Sequence, residues 1–175
     1  TNLLKHEENL FSLILRFGSL IISEKDEQNN ENEISITEKI VYELKSDNCK
    51  IQSPINEKLY VDIIGGIDDG ILKDSSDFFG MQDTDVESKI ATANLERYTT
   101  SNWAKHNIYF GSELDFVERI VNENIMKYKV AYIAKMIEDI KIEYEDVEDR
   151  DQMYSKINNL VIFKNQLNTK LNRIL

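Results

Sequence analysis

Five carboxylates, Asp62, Asp68, Asp69, Asp74 and Asp77, fall within sixteen residues of chain. Oxygen donors of this kind suit a hard divalent cation such as Mg2+ or Ca2+. Their spacing repeats no known cation loop, and acids beside Gly65, Gly66 and Gly70 more often solvate turns and cap helices, so a structural role is expected. His6 and His106 are the two histidines. Neither has a His or Cys near it at metal-ligand spacing, or a Ser or Cys nucleophile beside it. Cys49, the one cysteine, reads as a small, partly buried residue, and it has no second thiol for an intrachain disulfide or a thiolate cluster. Trp103, the one tryptophan, reads as the anchor of an irregular loop on the core. No G-x-G-x-x-G or G-x-x-x-x-G-K-[ST] occurs, so a phosphate-cradling loop has no support. The expectation is a non-catalytic fragment with no metal, no cofactor and no catalytic residues.

Charge narrows the partner. A net charge of −11 opposes direct binding to nucleic acid, which rests on Lys and Arg displacing counterions from phosphates. A protein partner is favoured. No apolar run approaches the roughly 20 residues that cross a bilayer, so no membrane association is expected. Thr1-Asn2-Leu3-Leu4-Lys5 lacks the pattern of a secretory signal, and a cytoplasmic location is the expectation. The chain opens without Met, as a piece of a longer protein would. Its 175 residues suffice for one or two folded units, and 41 % apolar residues supply a core. Six Gly and one Pro are too few for the reversals of a many-stranded sandwich or barrel, so helices are favoured.

The elements follow from periodicity and caps. Leu3, Leu4, Leu10, Phe11, Leu13, Ile14, Leu15 and Phe17 form an apolar stripe that Gly18 ends. Residues 24–33 hold no apolar side chain and read as a solvated loop. Ser35-Ile36-Thr37-Glu38 has capping-box spacing for a second helix. Ser53-Pro54 opens a third, expected to stop at Gly65-Gly66. Asp77-Phe78-Phe79 reads as a helical turn, and Thr84-Asp85-Val86-Glu87 as the cap of a fourth helix. Residues 98–111 read as irregular, and Ser112 as the cap of a very long helix to about Tyr144.

Two long stripes close the chain. Met126, Val130, Ile133, Ile137, Ile140 and Tyr144 recur at spacings of 3 and 4, as do Met153, Ile157, Leu160, Lys164, Leu167, Leu171 and Ile174. Joined by the acidic stretch 143–151, they predict an antiparallel helical hairpin. The expected fold is all-α, with a helical bundle over residues 1–130 and the hairpin over 131–175. Leu160-Val161-Ile162-Phe163 is apolar all round, whereas a hairpin needs one stripe, so Ile162 and Phe163 are left for the bundle or a partner. Residues 152–175 carry four basic side chains and no acid, a +4 arm on a −15 body.

The layout resembles the C-terminal region of bacterial replicative DNA primases of the DnaG type. The resemblance covers essentially the whole chain. It lies in Glu8-Asn9-Leu10-Phe11-Ser12-Leu13-Ile14-Leu15-Arg16-Phe17-Gly18, in Ser53-Pro54-Ile55, in Asn102-Trp103-Ala104-Lys105-His106-Asn107-Ile108-Tyr109 before the long helix, and in the final hairpin. It implies a six-helix subdomain followed by a hairpin that docks on the N-terminal domain of the hexameric replicative helicase. Primase would thereby be recruited to the replication fork for primer synthesis. That family's zinc module and polymerase core are absent from this sequence. The hairpin surface is carried over as the helicase-binding site: Ile157, Val161, Ile162, Phe163, Lys164, Leu167, Lys170 and Leu171. The rival reading from the charge is an acidic helical inhibitor or a nucleic-acid mimic, although the acids are scattered and the terminus is basic.

Overall fold

A computed structural model describes residues 2–25, 31–80, 83–100, 113–144 and 150–174. Among the described residues the fold is all-α apart from one short pair of antiparallel strands. Helix α1 (Asn2–Phe17) buries Leu3, Leu10, Phe11, Leu13, Ile14 and Leu15 on one broad face. It is the axis of the bundle, packing against α2, α3, α4 and α5. Truncating Leu10, fully buried on that face, would cost about 2–5 kcal/mol. Gly18 ends α1 as expected, but through close approach: an added Cβ would stand 2.3 Å from Thr37 Oγ1 and 2.4 Å from the Ile14 carbonyl oxygen.

The polar stretch after Gly18 is not all loop. Strands β1 (Ile21–Lys25) and β2 (Glu31–Ser35) pair antiparallel with Ile22 opposite Ile34. Backbone pairing forms the ladder, and the buried Ile22 seats it on the core. The base of this pair of strands ties the start of the next helix to the end of α1, with Ile36 N donating to Leu20 O at 3.0 Å and Thr37 N to Gly18 O at 3.1 Å.

Helix α2 (Ile36–Ser46) opens on the expected capping box. Ser35 Oγ accepts from Glu38 N at 3.1 Å, and Glu38 Oε2 accepts from Ser35 N at 2.9 Å. It closes with Asn48 in the left-handed region (φ 51), Asn48 N on Lys45 O at 3.1 Å and Cys49 N on Leu44 O at 2.9 Å, which satisfies two of the orphan carbonyls. Helix α3 (Pro54–Asp68) starts under Ser53 but runs straight through Gly65-Gly66. The true stop is Gly70 (φ 72), where Gly70 N reaches Ile67 O at 3.0 Å and Ile71 N reaches Gly66 O at 2.7 Å.

A 3-10 turn (Asp77–Gly80) buries Phe78. Helix α4 (Thr84–Thr100) is capped one residue earlier than expected, by Asp83, whose Oδ1 accepts from Asp85 N at 3.1 Å. It continues through Tyr98-Thr99-Thr100, the start of the stretch expected to be irregular, and the rest of that expected loop, with the Ser112 cap, lies outside the described residues.

Helix α5 (Glu113–Glu143) contributes Val117, Val121, Ile125, Tyr128 and Tyr132 to the core, then continues beyond it without a break across the boundary drawn at residue 130. Helix α6 (Arg150–Ile174) packs mainly on α5. Lys156 near the start of α6 meets Tyr144, while Phe163, Leu167 and Lys170 share a cleft with Asn122, Ile125 and Met126. Partners fall along α5 as numbers rise along α6, so the two helices run antiparallel. Among the described residues the main core draws nothing from α6.

Candidate interaction surface

Helix α5 presents α6, and a buried polar node sets the position of α5. Glu7 is fully buried on α1 and accepts from Gln52 N at 2.7 Å, Ser53 N at 2.9 Å and Asn56 Nδ2 at 2.9 Å. Those donors lie at the start of α3, where a carboxylate also complements the helix dipole. Tyr128, also fully buried, donates to Lys50 O at 2.9 Å, with Glu7 Oε2 at 3.3 Å from its hydroxyl. Burial and the neighbouring Glu7 push the Tyr128 pKa far above its ordinary value. The node therefore pins α1, α3 and α5 to one another.

A second polar group sits under α6. Lys129 is 5 % exposed and is held between Glu43, at the end of α2, and Asp47 at 2.6 Å. Burial pulls the lysine pKa down, but the bonds from Asp47 and Glu43 outweigh it and hold Lys129 above the usual range. This triad forms one wall of a cleft of about 250 Å3, whose other walls are Ile125, Met126, Phe163 and Leu167, with Ser46, Asn122 and Lys170 completing the lining.

The eight residues expected to bind a partner divide into three sets. Leu167 is buried against α5. Ile157, Phe163, Lys164 and Leu171 are half-buried, and Phe163 is taken up by the cleft rather than left free. Val161, Ile162 and Lys170 face solvent, with Ile162 49 % exposed and Val161 37 %. Helical geometry turns each residue by about 100°, which sets Ile162 on the side of α6 opposite Leu160, Lys164 and Leu167. Tyr154 completes this outer face, 61 % exposed and seven positions before Val161. Sequence reasoning passed over Tyr154, although the seven-residue spacing to Val161 was there to find it.

Three of the five clustered carboxylates have structural employment. Asp62 pairs with Lys73 at 2.7 Å. Asp77 accepts from Asp74 N at 2.8 Å, and Asp74 accepts from Ser76 N at 2.6 Å. No group of three or more His, Cys, Asp or Glu side chains able to hold a metal occurs among the described residues. Cys49 is buried, and burial together with the nearby Asp47 pushes its thiol up to about 11. His6 is half-buried on α1, its pKa lowered by burial and by Lys127 and Lys5. His106 and Trp103 lie outside the described residues. No helix among the described residues is long and apolar enough to cross a membrane.

One family model, described as Domain of unknown function (DUF8430), matches residues 1–174. The chain belongs to that family. No curated protein matches it, and no solved structure does. The DUF8430 match spans bundle and hairpin together, so the family's unit includes α6 and is not confined to the compact core.

Proposed function

We propose that this chain is the helicase-binding module of a bacterial replicative primase, and that the outer face of α6 is its docking surface. The observation that carries the reading is the exposure of Tyr154, Val161 and Ile162 on a helix held mainly by one neighbour. An apolar face of this kind on a projecting helix is what a partner surface covers. The likeness of the sequence to primase C-terminal regions supplies the identity of that partner, the N-terminal domain of the hexameric helicase. The +4 charge of residues 152–175 favours an acidic rim on the helicase side.

The mechanism is recruitment. A docked module holds the tethered polymerase core near the single strands that the helicase releases, so its effective concentration rises while its chemistry is unchanged. No catalytic residue and no cofactor in this chain is required.

Isothermal titration of the chain into the replicative helicase of the same bacterium tests this. Ile162→Asp and Val161→Asp should abolish binding while the far-UV circular dichroism stays helical. Undiminished binding by both variants would remove the outer face from the interface, and no binding by the unaltered chain would remove the helicase.

A further inference from the structure

The cleft of about 250 Å3 beneath α6 holds charges of both signs that do not all meet. Glu43 and Asp47 each spend one oxygen on Lys129, through Oε2 and Oδ2. Their other oxygens, Glu43 Oε1 and Asp47 Oδ1, accept no bond among the described residues. Two carboxylates and one ammonium leave this triad net negative, with lone pairs to spare. Lys170 lines the same cleft and makes no ion pair among the described residues, so its ammonium stands beyond ion-pair reach of both carboxylates. The carboxamide of Asn122, also in the lining, makes no hydrogen bond among the described residues.

These groups are sorted along the cleft. Asn122 lies one turn of α5 before Ile125 and Met126, and Lys129 lies one turn after them. Lys170 lies one turn of α6 beyond Leu167, and the two helices run antiparallel, so Lys170 shares an end of the cleft with Asn122. The Lys129 triad holds the other end. Between the ends the walls are apolar, built from Ile125, Met126, Phe163 and Leu167. From Asn122 to Lys129 the helix rises about 10 Å.

We propose that this cleft binds a linear zwitterion, an ω-amino acid of about six carbons, with its ammonium on Glu43 and Asp47 and its carboxylate on Lys170 and Asn122. Stretched, such a chain sets its amine about 7 Å from its carboxylate, which leaves room for a hydrogen bond at each end. Its methylenes lie along the apolar walls. A cavity of about 150 Å3 admits benzene, so this one admits roughly ten heavy atoms, and the zwitterion has about nine. A simple cation would leave Lys170 unmet, and a simple anion would face the net-negative triad. An α-amino acid carries both charges on one carbon and can satisfy only one end. The bound molecule touches α2, α5 and α6 together, which braces the root of the arm against the bundle.

Amide NMR of the nitrogen-labelled full chain, titrated with ε-aminocaproate, tests this. Saturable shifts should centre on Ser46, Asn122 and Phe163, with a Kd of about 1 mM or tighter. Three probes each remove one feature: caproate lacks the amine, hexylamine lacks the carboxylate, and norleucine is an isomer with both charges on one carbon. Each should bind about tenfold more weakly or worse. Lys170→Gln, at an exposed position, should weaken ε-aminocaproate about threefold or more, and Lys170→Arg should retain it. No saturable shift up to about 50 mM would overturn the proposal, as when Lys170 simply closes on Asp47 in solution. So would norleucine binding as tightly as its isomer, shifts centred away from the cleft, or Lys170→Gln binding as well as the unaltered chain. Tyr154, Val161 and Ile162 are not among the cleft residues and the titration contains no helicase, so its outcome is separate from that of the calorimetry.

Discussion

The Glu7 carboxylate on α1 and the Asn56 carboxamide on α3 meet at 2.9 Å with neither residue exposed to solvent. Both Glu7 oxygens face donors: Oε1 accepts from Ser53 N and Asn56 Nδ2, and Oε2 from Gln52 N. Glu7→Gln turns an NH2 group toward one of these sets in either orientation. A buried donor left without an acceptor costs about 1–3 kcal/mol, so urea unfolding should show a loss of about 2 kcal/mol. An unchanged midpoint would mean that the node contributes nothing.

Two glycines should respond in opposite directions. Gly18→Ala drives a Cβ into Thr37 Oγ1 and the Ile14 carbonyl, and the forced backbone shift should lower stability by about 1–3 kcal/mol. Gly65→Ala meets nothing within 4 Å inside α3 and should raise it by about 0.5–1 kcal/mol. Thermal melts of the two variants read both signs.

Stability should fall on the alkaline side. The folded pKa values of Cys49, Tyr128 and Lys129 are all raised. A raised folded pKa contributes stability that is present below the unfolded value and is lost as pH rises through the folded one. For Cys49 the loss begins near the free-thiol value of 9.0 and is complete at about 11. Cys49→Ala should flatten the decline of the urea midpoint across that window, and unaltered Cys49 should react slowly with iodoacetamide at neutral pH, since little of it is thiolate.

Docking and folding should separate on α6. Leu167→Ala removes a side chain buried against α5 and should cost about 2 kcal/mol, with hydrogen exchange quickening first along α6. Ile162→Asp changes an exposed position and should move stability by less than about 0.5 kcal/mol. Equal losses would place Ile162 inside the fold.

Local signals were legible where they act locally. Ser35 and Glu38 are three residues apart and cap one another whatever the rest of the chain does, and Ser53-Pro54 is as self-contained. The α5–α6 seam was readable because a stripe of period 3 and 4 buries itself on a copy of its own pattern. Gly65-Gly66 misled because a glycine marks either a stop or a close approach, and Gly66 serves the second, under Ile71 and Lys73. Strands β1 and β2 left little trace, since their ladder is built from backbone and their side chains are mostly polar. Phe163 depended on where α2 lies, and Tyr128 reaches Glu7 across 121 positions, relations that no sequence window contains.

One helix, α5, is rooted in the core from Val117 to Tyr132 and bears α6 along most of its 31 residues, from about Asn122 onward. At 1.5 Å per residue it is a rod of about 46 Å, free of Gly and Pro where a hinge would form. A tug on the arm therefore arrives at its root as leverage, multiplied by the overhang and resisted by Tyr128 and Lys129. Whatever grips the tip steers the whole bundle.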